Sequence, residues 1–290
     1  MDWEDMQRKV LIIGLGVMGS RIAANLAGSG KLHGVYDRTV EKARDTAGRL
    51  NATYYPDLIS AVKDNDIIIT MLYDDESVSQ VYSNVISVSK GRVFVDMSTI
   101  SPETSIEIAK RIEENGGKMY DAPVIGTSIA VERKNLVVLV GGDRSGFDEI
   151  REILSGTANS IVYMGENGAG LYAKLVNNLF LGSYMTALAE AVRFGKRSGI
   201  PDDIINDVLV KYSSARSPTS ELKVPKMISE DYSVQFSVKN MLKDLEIVGK
   251  LAARNTIPLP MASLALQLFR YLQITGHGEE DIAAIYRALR

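Results

Sequence analysis

The sequence contains no cysteine, and this absence excludes disulfide bonds, thiol nucleophiles and every metal site that depends on thiolates. Histidine is almost as rare, because only His33 and His277 occur and they lie far apart along the chain. Two histidines cannot form a three-histidine metal site, so we expect no metal ion. Any proton transfer then falls to lysine, tyrosine or a carboxylate.

Long apolar runs are also absent. Residues 67–72 have the length of a buried strand and fall far short of the roughly 18 apolar residues that a membrane span needs. The first nine residues are polar and charged and lack the apolar run of a secretory signal. Basic and acidic side chains number 33 and 36, so the net charge of −3 gives no reason to expect a polyanionic partner. We therefore expect a cytoplasmic protein that binds neither nucleic acid nor membrane.

The length of 290 residues predicts one large domain or, more in keeping with roughly 100 to 200 residues per domain, two. From residue 10 to about 163, short β-branched runs alternate with helical patterns, which is typical of parallel strands joined by crossover helices. Helices are predicted at 20–27 and at 103–114, the second entered through Ser101 and Pro102. The predicted strands cover 10–13, 34–36, 67–71, 93–96, 118–121, 136–140 and 160–163. This half is predicted to be a doubly wound α/β sheet.

The pattern changes near Gly165, after which strand-like runs cease. A helical pattern runs to Arg197 with apolar positions that include Leu171, Leu175 and Leu179. Further helices are predicted at 202–213, 238–254, 260–275 and 279–289, and residues 213–218 are predicted to form a loop. We therefore divide the chain into an α/β domain, 1–165, and an all-α domain, 166–290. The long helix is more apolar than one domain of this size needs, which predicts a homodimer or homotetramer built on the helical half.

A glycine-rich turn follows the first predicted strand and opens a helix. It reads Gly14, Leu15, Gly16, Val17, Met18 and Gly19. In a dinucleotide-binding Rossmann turn, the first glycine makes the tight turn, the second admits a pyrophosphate and the third lets helix and strand pack closely. The pattern alone is weak, but strand, turn, helix and second strand come in the required order. Asp37 ends that second strand, 18 residues after Gly19, where it would accept the ribose 2′-hydroxyl.

The identity of the nucleotide stays open between NAD and NADP. Asp37 favours NAD, because its carboxylate would repel a 2′-phosphate. Arg38 and Thr39 follow it directly and are residues of the kind that hold such a phosphate. Arg38 could equally be an exposed charge stacked on the adenine.

Lys174 and Asn178 are four residues apart near the start of the long helix, so they share one face of it. A lysine partly removed from water can give a proton to a carbonyl oxygen as hydride arrives, or accept one in the oxidising direction. Asn178 could orient that lysine or a substrate hydroxyl. The pattern by itself is more typical of the solvent-exposed side of a helix.

Five blocks together resemble the β-hydroxyacid dehydrogenase family, which includes 3-hydroxyisobutyrate dehydrogenases, tartronate semialdehyde reductases and glyoxylate/succinic semialdehyde reductases. They are 14–19 with Asn25 and Leu26, 96–102, 121–126, 168–178 and 243–245. They cover nearly the whole chain in collinear order, and the set is far more specific than any one block. The resemblance implies a Rossmann domain, an all-α C-terminal domain, and an active site in the cleft between them. It implies NAD(P)-dependent interconversion of a small β-hydroxy acid and its semialdehyde or keto form.

The resemblance also implies a role for individual residues. Lys174 would be the catalytic acid and base, with Asn178 as its substrate-orienting neighbour. The cofactor would contact Gly14, Leu15, Gly16, Val17, Met18, Gly19, Asp37, Arg38, Thr39, Met71, Leu72, Thr99 and Lys243. The substrate would contact Ser98, Val124, Ile125, Gly126, Thr127, Lys174 and Asn178. Backbone N–H groups of 123–127 would hold its carboxylate in a nest-like anion site.

Two departures from the family pattern concern the substrate and the cofactor. Where the family commonly has Ser-Gly-Gly, this chain has Ile125, Gly126 and Thr127, followed by Ser128. A hydroxyl is lost at 125 and a Cβ is gained at 127, so we expect a more apolar pocket of different shape, in which Thr127 or Ser128 restores the lost donor. Tyr73 stands where the family often has proline.

Other functions fit the sequence less well. An imine reductase on this fold usually has Asp or Tyr in place of the lysine, so Lys174 argues against it. A 6-phosphogluconate dehydrogenase would be longer and would have histidine at position 177, where this chain has Asn177. A catalytically silent NAD(P)-binding relative is disfavoured because Lys174, Asn178 and Lys243 occur together.

Overall fold

The computed structural model describes residues 8–289. The first seven residues, which the sequence assigns to the first domain, and Arg290 in the second lie outside the described residues. The chain forms two compact units, one that ends at Lys174 and one that begins at Leu175. A single helix, α8 (Ala169–Arg197), contains the point of division.

Within the described residues of the first unit, nine strands form one sheet. They are β1 (Val10–Ile13), β2 (Leu32–Tyr36), β3 (Thr53–Tyr54), β4 (Ile67–Thr70), β5 (Val93–Asp96), β6 (Lys118–Asp121), β7 (Val124–Ile125), β8 (Val137–Gly141) and β9 (Ser160–Gly165). The first six are parallel and lie in the order β3-β2-β1-β4-β5-β6. This order reverses between β1 and β4, and ligands of such sheets bind at that reversal, beyond the carboxyl ends of the strands.

Both faces of the sheet are buried, as a doubly wound fold requires. Ile12 and Ile69 pack into one hydrophobic cluster, whereas Ile13 and Ile68 pack into another on the opposite face. The helices of this unit are α1 (Val17–Gly28), α2 (Val40–Leu50), α3 (Leu58–Lys63), α4 (Asp75–Val85), α5 (Pro102–Glu114), α6 (Ser128–Glu132) and α7 (Phe147–Leu154). The predicted fold class, a doubly wound α/β sheet followed by a helical region, is confirmed.

The prediction of parallel strands is wrong for the last part of the sheet. β8 pairs antiparallel with β6 and β7, and β9 is parallel to β8, so both run against the first six strands. The reason lies in the connection after β6. The chain first continues through β7 in the direction of β6, and the five-residue α6 then lies in the turn that brings β8 back antiparallel to both strands. The sequence also gave no strand signal for β3 and β7, each of two residues.

The second unit is helical within its described residues, apart from one isolated bridge between Ser237 and Asp281. Its helices after α8 are α9 (Asp202–Asp207), a π-helical turn at Val208–Tyr212, α10 (Pro218–Ser229), α11 (Val238–Arg254), α12 (Pro260–Ile274) and a 3₁₀ segment at Ile282–Leu289. The sequence missed α10, because Pro225 lies inside it and reads as a helix breaker. Ser217 and Ser220 nevertheless form a capping box at its start.

A buried ion pair ties the helices of the second unit together. Lys223 of α10 donates to both carboxylate oxygens of Asp281, at 2.8 and 2.9 Å. Asp281 also accepts from the backbone N–H groups of Gln235, Phe236 and Ala283. Burial lowers the pKa of Lys223, an effect that Asp281 opposes. The carboxylate is therefore the shared acceptor of one charged and three backbone donors.

Neither a membrane span nor a metal site is present in the part of the chain that the structure describes. No helix there is long and apolar enough to cross a membrane. No group of three or more histidine, aspartate or glutamate side chains in residues 8–289 could hold a metal ion.

We predict that Asp281→Ala lowers the free energy of unfolding by about 3–5 kcal/mol, because it leaves the buried Lys223 ammonium without its counter-charge. Glu246→Ala is the control, since it breaks an exposed pair with Arg270 in the same unit and should cost under about 1 kcal/mol. Urea unfolding of both variants measures the difference, and equal losses would contradict this account of the buried pair.

Candidate active site

The glycine-rich turn lies where the order of the parallel strands reverses. Gly14 leaves β1 with a φ of +92°, and its N–H donates to the Tyr36 carbonyl at 3.0 Å. A Cβ at position 14 would lie 2.5 Å from the carbonyl oxygen of Met71, and a Cβ at Gly19 would collide with the carbonyl oxygen of Gly14. The chain itself therefore requires the first and third glycines.

Gly16 differs from the other two glycines of the turn. Its backbone is extended, which any residue adopts, and in the part of the chain that the structure describes nothing outside its own turn lies within 4 Å of where its Cβ would be. Helix α1 begins directly after it with no side-chain cap and no acidic residue in its first turn, and Val17 there is 65% exposed. Open space at an uncapped helix N-terminus fits a pyrophosphate, which would use the N–H groups that the protein leaves available.

Asp37 is held in a fixed position at the end of β2. Its Oδ2 accepts from the N–H of Leu15 at 2.7 Å, and its Oδ1 accepts from the N–H of Thr39 at 2.9 Å. The carboxylate therefore joins the glycine-rich turn to the start of α2. Arg38 and Thr39 beside it are exposed.

A hydrogen-bonded network connects the carboxyl ends of β4 and β5. Ser98 Oγ donates to Asp96 Oδ1 at 2.6 Å and accepts from the N–H of Leu72 at 2.8 Å. Thr70 Oγ1 donates to the same Asp96 oxygen at 2.8 Å. Burial raises the pKa of Asp96 to about 6, although these donors oppose the rise. Asp96 thus fixes Ser98 and, through it, the segment that begins at Leu72.

Asp96 is a residue that the sequence did not single out for a role of its own. It is fully buried, and its Oδ2 has no hydrogen-bond partner among the described residues. The feature of the sequence that could have indicated Asp96 is an acidic residue at the end of an apolar strand. Of its predicted neighbours, Met71, Leu72 and Thr99 are half-buried, whereas Tyr73 is exposed.

The segment predicted to hold the substrate carboxylate follows β6. Val124 and Ile125 form β7 and pair with Val138 and Val137 of β8, so this part is a short strand and not only a loop. Gly126 has a φ of +136°, and a Cβ there would lie 2.7 Å from the Leu136 side chain. Packing within the chain thus already explains this glycine. Ile125 and Thr127 are half-buried, and Ser128 is buried.

The start of α8 is bonded to the end of β6. Asp121, fully buried, accepts from the N–H of Gly168 at 2.6 Å and from the N–H of Leu171 at 2.9 Å. Burial raises the pKa of Asp121, and the backbone donors oppose the rise. The sequence did not predict this contact, because its partners lie 47 and 50 residues apart along the chain.

Lys174 and Asn178 do not lie on the wet side of the helix. Lys174 is 8% exposed and Asn178 is fully buried. Of the two interpretations that the spacing left open, the structure contradicts the solvent-exposed face. Lys174 is the last residue of the first unit, and Asn178 belongs to the second.

In the second unit, Asp244 joins two of the predicted site residues. Asn178 Nδ2 donates to its Oδ2 at 2.5 Å, and Lys243 Nζ donates to its Oδ1 at 2.8 Å. Asn177 Nδ2 donates to Asn178 Oδ1 at 2.8 Å, so both ends of the Asn178 amide are fixed. The sequence did not predict Asp244 as a site residue. The one feature of the sequence that could have indicated it is its position next to Lys243.

The predicted residues of the first unit share one edge of the sheet. The glycine-rich turn follows β1, Met71 and Leu72 follow β4, Ser98 and Thr99 follow β5, and 124–127 follow β6. Since these strands are parallel and adjacent, their carboxyl ends form a single rim.

Two family models match this chain and together cover nearly all of it. Residues 9–165 match the family model described as the NAD binding domain of 6-phosphogluconate dehydrogenase. Residues 168–289 match the model described as "NAD-binding of NADP-dependent 3-hydroxyisobutyrate dehydrogenase".

Similar proteins and structures cover the chain almost completely. The 2-(hydroxymethyl)glutarate dehydrogenase of Eubacterium barkeri is 34% identical over 96% of this chain and 94% of its own length. The chloroplastic glyoxylate/succinic semialdehyde reductase 2 of Arabidopsis thaliana is 31% identical over 96% of this chain and 78% of its own. The structure of Mycobacterium tuberculosis 3-hydroxyisobutyrate dehydrogenase with L-serine has a TM-score of 0.90 at 28% identity, covering 98% of this chain and all of that one. The chain therefore belongs to the β-hydroxyacid dehydrogenase family.

Proposed function

We propose that this chain interconverts a small β-hydroxy acid and the corresponding semialdehyde or keto acid, with NAD or NADP as the hydride carrier. The observation that carries the proposal is the burial of Lys174, one helical turn before the buried Asn178, on a helix whose start is bonded to the rim of the nucleotide-binding sheet. The named relatives are dehydrogenases and reductases of hydroxy acids and semialdehydes, which supports this reaction class.

The nicotinamide, when bound, supplies the hydride chemistry, and the protein handles the proton and the orientation. In the oxidising direction Lys174 accepts the proton of the substrate hydroxyl, and in the reducing direction it donates a proton to the carbonyl oxygen. Asn178 has one amide hydrogen on Asp244 and can direct the other to the substrate oxygen. This division of work explains how a chain without cysteine could be an enzyme.

The substrate-binding residues of the proposal are Ser98, Val124, Ile125, Gly126, Thr127, Lys174 and Asn178. Backbone donors of the segment that contains Gly126 hold the carboxylate, and Ile125 makes the adjoining surface apolar. We therefore propose a substrate that carries an apolar group near its carboxylate. The cofactor-binding residues are Gly14, Leu15, Gly16, Val17, Met18, Gly19, Asp37, Arg38, Thr39, Met71, Leu72, Thr99 and Lys243.

NAD is the nucleotide that we propose as the preferred one. The Asp37 carboxylate is fixed by two backbone donors, so it has little freedom to turn away from a 2′-phosphate. A carboxylate in that place accepts the ribose hydroxyls of NAD and repels the extra charge of NADP.

We also propose that the protein is a cytoplasmic homodimer or homotetramer assembled through the helical unit. Val176, Phe180 and Phe194 of α8 are 67–73% exposed, and the Phe180 ring stacks on Tyr184 with centroids 5.8 Å apart. These α8 residues form one exposed apolar row, and a second exposed apolar row follows one face of α12. The second row consists of Met261, Leu264, Tyr271 and Ile274. Rows of this size on a monomer usually mark an interface.

Lys174→Ala should lower kcat/KM by about 10²- to 10⁴-fold, because it removes the acid and base of the reaction. The Kd for NADH, measured by nucleotide fluorescence, should stay within about twofold, since hydride-carrier binding is assigned to other residues. Lys250→Ala, at an exposed position of α11, is the matched control. Retention of more than about a tenth of kcat/KM would rule out the role of Lys174.

Asp37→Asn should reduce the preference for NAD over NADP by about tenfold, because it removes the repelling charge and keeps the size of the side chain. Asp45→Asn changes an exposed carboxylate of α2 in the same way and should leave the preference unchanged. The ratio of kcat/KM for the two nucleotides is the measurement. A native protein that already prefers NADP would contradict the assignment.

Light scattering should give a mass of two or four times the 31.7 kDa chain. Phe180→Asp should shift the protein toward smaller species, because a charge is expensive to bury at an apolar interface. Ile257→Asp, at an exposed residue outside both rows, is the control. A native mass equal to one chain would refute the proposed assembly.

A further inference from the structure

The helix that carries Lys174 begins directly after Gly168, which has no side chain to cap it and has a φ of +91°. The N–H groups of Gly168 and Leu171 are instead satisfied by Asp121, one by each carboxylate oxygen. A side chain from the sheet therefore does what an N-cap residue normally does within a helix.

Two glycines allow the backbone to pack directly against the Asp121 carboxylate. A Cβ at Gly141 would lie 2.5 Å from Asp121 Oδ1. A Cβ at Gly170 would lie 2.9 Å from Asp121 Oδ2 and would collide with the Leu139 carbonyl oxygen. Glycine at both positions lets backbone and carboxylate come this close.

A second bond attaches the same segment to β6. Asn167 Nδ2 donates to the carbonyl oxygen of Met119 at 2.8 Å. The approach to α8 is thus held at two points of one strand, Met119 and Asp121.

This attachment lies on the rim that carries the proposed binding residues. Asp121 is the strand partner of Asp96, which fixes Ser98. Val124, the first residue of the segment proposed to hold the substrate, comes three residues after Asp121 in the sequence. Lys174 comes three residues after Leu171, which is about 4.5 Å along the helix axis. The carboxylate that fixes the helix start therefore lies among the strand ends that the substrate is proposed to contact.

Resting on the function proposed above, we infer that Asp121 is a positioning residue, which sets the place of Lys174 relative to the substrate by fixing the first turn of α8 to β6. Asp121 is fully buried and is not a catalytic residue. The role needs a carboxylate, because the N–H groups of Gly168 and Leu171 point at its two different oxygens. Asparagine has the same size but offers one acceptor, and its NH₂ group would face a donor.

The test is a double-mutant cycle of Asp121→Asn and Lys174→Ala, with the rate of hydride transfer measured in single turnovers. Asp121→Asn should lower this rate by about 100-fold in the native background, because a displacement of about 1 Å costs that much. Extra substrate should not restore the rate, and the Kd for NADH should be unchanged. In the Lys174→Ala background the same change should cost less than about threefold, since no lysine remains to be positioned.

Two results would overturn the inference. One is a native-background rate that falls by less than about threefold, and the other is an equal fall in both backgrounds, which a general loss of structure would produce. Failure of the proposed function is recognised separately, because Lys174→Ala alone would then stay active. Asp57→Asn alters the cap of α3 by the same substitution and should leave the rate unchanged.

Asn167→Ala keeps the inference testable if Asp121→Asn does not fold. It removes the second attachment and leaves no buried charge without a partner. We expect a fall in the hydride-transfer rate of about 3- to 10-fold in the native background and none in the Lys174→Ala background. An unchanged rate in the native background would count against the positioning role.

Discussion

Two carboxylates, Asp96 and Asp121, are buried side by side at the carboxyl ends of adjacent parallel strands. Burial raises the pKa of both groups, and the negative charge of Asp121 raises the pKa of Asp96 further. Both are stabilised by donors from loops and from a helix start, so their burial depends on those segments being in place. Asp96 fixes Ser98 and Asp121 fixes α8. The candidate site of the first unit is arranged around these two acceptors.

The glycines of the nucleotide turn separate what the fold needs from what a ligand needs. Gly14 and Gly19 are required by contacts within the chain, whereas no contact among the described residues requires Gly16. Gly16 also stands at a helix N-terminus beyond the carboxyl end of β1, where open space next to the backbone fits the approach of a pyrophosphate. This distinction is more informative about function than the three-glycine pattern alone.

The sequence predicted those elements that local patterns determine. The bounds of β1, β5 and α11 agree with the prediction, because apolar runs and helical periodicity define them. The antiparallel direction of β8 could not be read in the same way, since it depends on how the chain returns after β6. The helix α10 was not predicted, because Pro225 lies inside it and a proline usually ends a helical pattern.

The site follows the same rule. The four-residue spacing of Lys174 and Asn178 placed them on one face of a helix. It could not show whether that face is buried or exposed to solvent. Asp121 and Asp244 were missed as site residues, because each acts on donors 47 to 66 residues away in sequence. Long-range hydrogen bonds of this kind have no local signature, and only the folded chain reveals them.

The most direct test of the central claim is a substrate panel assayed with NAD and with NADP, followed by the absorbance of the reduced nicotinamide. The panel pairs small β-hydroxy acids with alcohols of the same size that lack the carboxylate. We predict reduction of the nucleotide with at least one β-hydroxy acid and none with the matched alcohols. Binding of the nucleotide without reduction by any member of the panel would contradict the account and would indicate a nucleotide-binding protein without catalytic activity.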